Sequence, residues 1–438
     1  MRSIAVTVAF CLLATVAFGG MSGTYTIKPD GGGDFLTLYS AGEALMDSGM
    51  SGNCVFEVFG DTLPGSFGAW GVSGSDSWTT TFRPGPGTNP VILGNEFFGG
   101  LDNVKIESLR FIGTWITISG CSGWRISGCR ISTHDWGVKL EGSTYDTVDG
   151  NTFDVWGVGL GHYPPVMVEA GSDNIIFNNM FGDDSCGIDP LVDFDNARNT
   201  RFVFNTLWLS PLAVEYGNCL WVDGQAPCEV RNNVFVLSRL ADTVHACVSI
   251  YPTSDSVLLD NNCYFVESLG YIGARPFYPD LCEWDEWRGF GFEANGIYAD
   301  PKFVSTTDLH LRPGSPCNTR ATPIAGINFD IDGDPRDPTH PDIGADEITG
   351  GAVEEGPKPQ ASSTKLAATV VSGALWLTPT TSPRPQAASL LDAAGRQVAE
   401  LHAGANDVSS LAPGVYFVRR ASSDGRGASS VTKVVVTR

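Results

Sequence analysis

The chain has 438 residues, a length that allows two or three domains. Charged residues make up only 17%, glycine is abundant at 52 residues, and the formal net charge is −22. That balance argues against binding to a phosphate backbone, which needs clustered Lys and Arg, and the glycine-rich, turn-rich composition points to an all-β protein.

Met1 to about Gly20 reads as a secretory signal: Arg2, then an apolar run over Ile4–Phe18 that is too short for a membrane span. Its removal takes Cys11 and leaves ten cysteines, an even number that permits disulfides in an exported chain. Cys219 and Cys247 precede their repeat copies by eleven and twelve residues, a spacing that would stack them on neighbouring rungs.

Tyr25 to Leu38 reads as a strand and a Gly-rich turn, leading into an amphipathic helix through Met46. This opening is similar to that of pectin methylesterases and related β-helices, where a helix covers the first rung. The esterase Gln-Asp-Thr and Asp-rich catalytic strand are missing here. Val55–Phe59 and Thr79–Phe82 read as irregular first-rung strands.

From Val104 to Phe265 one pattern recurs seven times at intervals of 20 to 29 residues. Its first apolar position holds Ile106, Ile126, Val148, Ile176, Phe202, Val230 and Leu259. Three residues on stand Leu109, Cys129, Asn151, Asn179, Asn205, Asn233 and Asn262, and two beyond those an apolar residue returns. Such a period marks a solenoid, whose units bury their apolar faces only by stacking. Stacked amides can hydrogen-bond along the stack, and Asn tolerates the left-handed backbone of a sharp bend. The pattern resembles the right-handed parallel β-helix of pectate lyases, with its asparagine ladder, over roughly residues 24–349.

Each repeat carries a second strand: Ile116–Ser119, Val138–Glu141, Val166–Glu169, Val192–Asp195, Leu220–Asp223 and Val248–Tyr251. Alternation turns two columns outward. One is Thr117, Lys139, Met167, Asp193, Trp221 and Ser249; the other is Ser119, Glu141, Glu169, Asp195, Asp223 and Tyr251. The resemblance implies a polysaccharide groove over this sheet. One wall would be the long segments holding His134, Asp135, Asp154, His162, Asp183, Asp184 and Asp189.

Four consecutive carboxylates at rungs about 4.8 Å apart repel one another, and a hard cation such as Ca2+ is their natural counter-charge. Glu141, Glu169, Asp195 and Asp223 are therefore the candidate metal ligands. Lys139, Glu169 and Asp193 are the candidate catalytic residues. Lys139 serves as a base only if burial lowers its pKa against the pull of the acids. Trp221, Asp184 and His134 are the candidate substrate contacts, Trp221 as a platform for a sugar ring.

Residues 297–349 resemble the closing segment of secreted β-helix proteins, on Ala299–Phe303, Leu309–Pro316 and Asp330–Glu347. They are expected to cap the C-terminal end. The spacing of Asp330, Asp332 and Asp334 hints at calcium and leaves metal binding open as the other reading, although the EF-hand register fails because Gly333 and Pro341 stand at the wrong loop positions. A linker follows over 350–364. Residues 365–438 hold Leu391–Val398, Ser410–Arg419 and Lys433–Arg438, which resemble the type A C-terminal sorting domain of type IX secretion, a small β-sandwich. That likeness implies export to the surface of a Gram-negative cell, or release from it, through the type IX machinery. The expected protein is a secreted monomer that binds or cleaves polysaccharide as a lyase or hydrolase. The other open reading is a non-catalytic adhesion solenoid.

Overall fold

The computed structural model describes residues 19–348 except 95, 134–135, 156–163, 184–189, 210–217, 224–226, 239–245, 251–256, 268–269 and 276–279. Beyond these it describes 369–371, 374–377, 388–391, 396–402, 404–408, 411, 414–421 and 428–436. The signal and linker expected from the sequence lie outside the described residues, the former but for its last two positions. The chain divides into two units, Met1–Gly351 and Ala352–Arg438.

In the first unit, every repeat copy crosses the corner between two sheets. Its first apolar residue lies in one sheet, as in Arg125–Ser127, Thr147–Asp149 and Ile175–Phe177. Its last lies in a second sheet, as in Arg130–Thr133, Thr152–Val155 and Met180–Asp183. A third sheet collects the outward-column strands, and each of the three sheets runs through ten described strands. Neighbouring rungs pair in parallel and in register, so Ile126 meets Ile106 and Val148, and Ile131 meets Phe111 and Phe153. Both apolar positions are fully buried in nearly every copy. The fold is a parallel β-solenoid.

The corner between first and second sheets is where the asparagine ladder lies. Asn151, Asn179, Asn205, Asn233 and Asn262 are each fully buried. Each of the first four donates its backbone N–H and its Nδ2 to Oδ1 of the next, over 2.8–3.1 Å. Nδ2 also donates back to a carbonyl of the preceding rung, as from Asn205 to Ile176 at 2.9 Å. The left-handed residue of the bend is not the ladder Asn but the one before it: Ser108, Gly128, Gly150, Asn178, Phe204, Asn232 and Asn261, with φ between 54° and 63°. The ladder amide is thereby spared the bend and aims inward.

Helix α1 (Leu38–Ser48) opens with a Thr37/Ser40 capping box and buries Leu38, Ala41 and Leu45 in the core of the first rungs. At the other end, helix α2 (Trp284–Gly289) inserts Trp287, fully buried, against Gly273. A Cβ on Gly273 would stand 2.2 Å from that indole, so the plug requires glycine. The ladder itself ends on Glu293, whose carboxylate accepts from Asn262 N–H at 3.1 Å, Asn262 Nδ2 at 2.7 Å and Tyr264 OH at 2.8 Å.

Of the segment expected as a C-terminal cap, Ile297–Tyr298 add the last strand of the second sheet on Cys263 and Tyr264, and the residues from Phe303 on pack along the flank. Leu309, Leu311, Cys317, Ile324, Ile327 and Ile343 pack on Met180, Val203, Phe204, Trp208 and Val234. The left-handed bend residues hold this segment: Asn178 Nδ2 donates to the Phe329 carbonyl at 2.6 Å, and Asn232 Nδ2 to Thr322 at 2.8 Å. Buried Arg336 stacks on Phe204 at 4.1 Å and donates to Asn178, Glu347 and three carbonyls. Nine cysteines are described and all are buried, and Cys219 and Cys247 fall on neighbouring strands.

In the second unit, the described strands form a five-stranded sheet and a two-stranded one. Leu390, Leu401, Val408, Tyr416 and Val418 make its core.

Candidate functional site

The outer face of the third sheet follows from strict alternation. Val138, Leu140, Val166, Val168, Val192 and Phe194 are fully buried, so the residues between them must face out. Register then sets Glu141 opposite Glu169, Glu169 opposite Asp195, and Asp195 opposite Asp223. Beside them Lys139, Met167, Asp193 and Trp221 stand in a second file. All eight are half-buried.

Lys139 is the hinge of the electrostatics. Its Nζ lies 2.7 Å from Glu169 and 3.5 Å from Glu141, and 4.9 Å from the centre of the Trp136 ring. Burial works against its charge, but Glu169 and then Glu141 outweigh burial and hold its pKa above the usual lysine value. The amine is thus an ammonium ion at neutral pH. Farther along, burial and then Asp195 raise the pKa of Asp223, the expected signature of adjacent like charges.

The face carries more indole than the repeat pattern announced. Trp136 meets Trp115 edge-on, with ring centres 5.8 Å apart. Trp70, opposite Gly100 on an earlier rung of this sheet, is 59% exposed. Its ring folds over Gly68, where a Cβ would lie 3.0 Å from the indole. These residues sit outside the seven-fold pattern, and a count of Trp against outward strand positions would have found them.

Asp154 belongs elsewhere. It lies in a second-sheet strand, 2.6 Å from Arg130 Nε, beside a cavity of about 570 Å³ that Arg130, Met180, Thr307 and His310 also line. His134 and Asp184, with Asp135, His162 and Asp189, lie outside the described residues, as does the Asp183 side chain. For calcium, one group of three His, Cys, Asp or Glu donors within 4.8 Å of one another occurs among the described residues. It is His310, Asp332 and Asp346 on the flank, so a cation on the acid file would draw on adjacent pairs of carboxylates.

The family model described as "Right handed beta helix region" matches residues 99–235. No curated protein matches the sequence. Two solved structures are similar in fold. One is an alginate lyase from Paenibacillus sp. str. FPU-7, 14% identical over 60% of this chain and 98% of the other, with a TM-score of 0.39. The other is the pectate lyase Pel9A, 12% identical over 76% of this chain and 98% of the other, with a TM-score of 0.36. Neither likeness bears on activity.

Proposed function

We propose that this protein binds a polysaccharide along the outer face of the third sheet. The observation that carries the reading is the register of that face: four carboxylates in one file, flanked by Lys139 and Trp221, with Trp136 and Trp70 beside them. Indole faces suit the apolar faces of sugar rings, and carboxylates accept from sugar hydroxyls. Calcium shared by neighbouring carboxylates would offset their repulsion and admit an anionic chain. In the catalytic form of this reading, Lys139, Glu169 and Asp193 do the chemistry of a lyase or hydrolase. Lys139 would act as a base only once Glu169 and Glu141 are drawn off its ammonium. The pairing of Lys139 with both acids favours the second reading, a non-catalytic surface solenoid that binds glycan and leaves it intact.

The test is a panel of neutral, anionic and amino-sugar polysaccharides with and without calcium, scored for retention and for new chain ends. Retention that falls at least tenfold in Trp221→Ala supports the assignment. Equal retention in the variant, or no retention of any glycan, overturns it. New chain ends separate enzyme from binder. The proposal includes export, with the second unit recognised by the type IX machinery.

A further inference from the structure

A second cluster of chemistry lies on the flank, away from the acid file. Strands Phe303–Ser305 and Asp308–Leu311 form an antiparallel hairpin. Leu309 and Leu311 turn into the flank core, and alternation turns His310 out between them. Asp346 is buried, and one of its oxygens accepts the Leu311 N–H at 2.7 Å. Asp332 sits on a turn built by Asp330, whose carboxylate accepts the N–H groups of Asp332, Asp334 and Glu347 over 2.8–3.0 Å. Asp330 is thus engaged by backbone, while Asp332 is presented to solvent and to His310.

The imidazole is oriented from behind. Nδ1 lies 2.5 Å from Asp308 Oδ1, and in the tautomer whose Nδ1–H donates to that oxygen the Nε2 lone pair is left for a metal beside the other two acids. Nε2 is a buried atom that makes no hydrogen bond of acceptable geometry among the described residues, although Asp332 Oδ2 is 3.0 Å away. Nε2, one Asp332 oxygen and one Asp346 oxygen lie within 4.8 Å of one another. A carboxylate behind a histidine whose other nitrogen faces acidic oxygens is the arrangement that metal-binding imidazoles use.

We propose that His310 Nε2, Asp332 and Asp346 bind a divalent cation of the zinc type, with Asp308 as the positioning residue. An imidazole nitrogen with two carboxylates suits zinc, whereas calcium takes six to eight oxygens. Asp332, whose side chain is 57% exposed, is the ligand with most freedom to adjust to an ion. Zinc there would tie the hairpin to the 330–346 segment and brace the rim of the cavity beside Arg130 and Asp154. The competing arrangement is a protonated imidazole held by the same acids. Asp332 first, and then Asp308, push its pKa up to about 9 against burial.

Full-length protein, stripped with chelator, is titrated with zinc by calorimetry and with cobalt(II) by visible absorption. The expected result is one saturable equivalent and a cobalt band that is absent from His310→Gln. Asp308→Asn, which keeps all three ligands, should weaken zinc binding roughly 10–100-fold. Circular dichroism in chelator checks that the variants fold, and Asp332→Asn, at the exposed ligand, serves if His310→Gln does not. No saturable zinc uptake, or a cobalt spectrum unchanged in the ligand variants, overturns the site and leaves a protonated ion-pair clamp. The outcome is independent of any glycan result.

Discussion

At position 293 a glutamate ends a file of asparagines, and that one change gives the ladder a titratable terminus. Burial raises its pKa to about 7 even though Asn262 and Tyr264 donate to it. In the unfolded chain the same group titrates near 4.5. Between these values the folded state holds the proton that the unfolded state has lost, so stability falls as pH rises from about 4.5 to about 7 and then levels. The shift corresponds to at most about 3 kcal/mol. Urea unfolding across that range should show the decline in the native protein and a flatter profile in Glu293→Gln. Asp146 and Asp342, both raised to about 6 mainly by burial, add the same slope to both proteins, so the difference isolates Glu293. Parallel pH profiles would mean that the carboxylate keeps its ordinary pKa when folded.

At the level of strands, the acid file is a stability liability that a cation would relieve. Among the described residues, Asp195 and Asp223 repel without a basic partner of the kind Lys139 gives Glu169, and for this reason they make the cleaner test. If calcium binds the file, the melting temperature of the native protein rises with calcium above its dissociation constant. The Asp195→Asn, Asp223→Asn double variant should not respond, and without calcium it should melt slightly higher than the native protein. A calcium-independent melting temperature in the native protein removes the cation from this face. The strands carrying the file were legible in the sequence because one two-residue alternation sorts Val138 and Leu140 inward and Lys139 and Glu141 outward, rung after rung. The five ladder residues were legible for the same reason. What breaks the period was not: Trp287 and Glu293 close the solenoid only once, and nothing before them repeats. The flank was hidden for a different reason, since its anchors join Asn178 to Phe329 and Asn232 to Thr322 across long stretches of chain. His310 and Asp346 meet by that same fold-back, so their spacing in sequence carried no sign of a site.

For the whole chain, the two units predict separable roles. Solenoid contacts are local, so deleting residues 365–438 should leave a folded first unit with unchanged unfolding. If the second unit is a sorting domain, the truncated protein stays in the periplasm while the full chain reaches the outside. Cell fractionation decides it, and normal surface amounts of the truncated form would discard the sorting role. The ladder also has a direction. Each ladder asparagine hands its backbone N–H and one Nδ2 bond forward, from Asn151 to Asn179 and onward to Asn262, while a second Nδ2 bond turns back to a carbonyl of the rung behind. In a chain emerging from its N-terminus, the forward N–H groups of the newest ladder asparagine therefore lack their partner until the next coil is made. Glu293 accepts and passes nothing on. It acts on the growing stack as a chain terminator acts on a polymer: the ladder position of the last coil holds no side-chain amide to hand on.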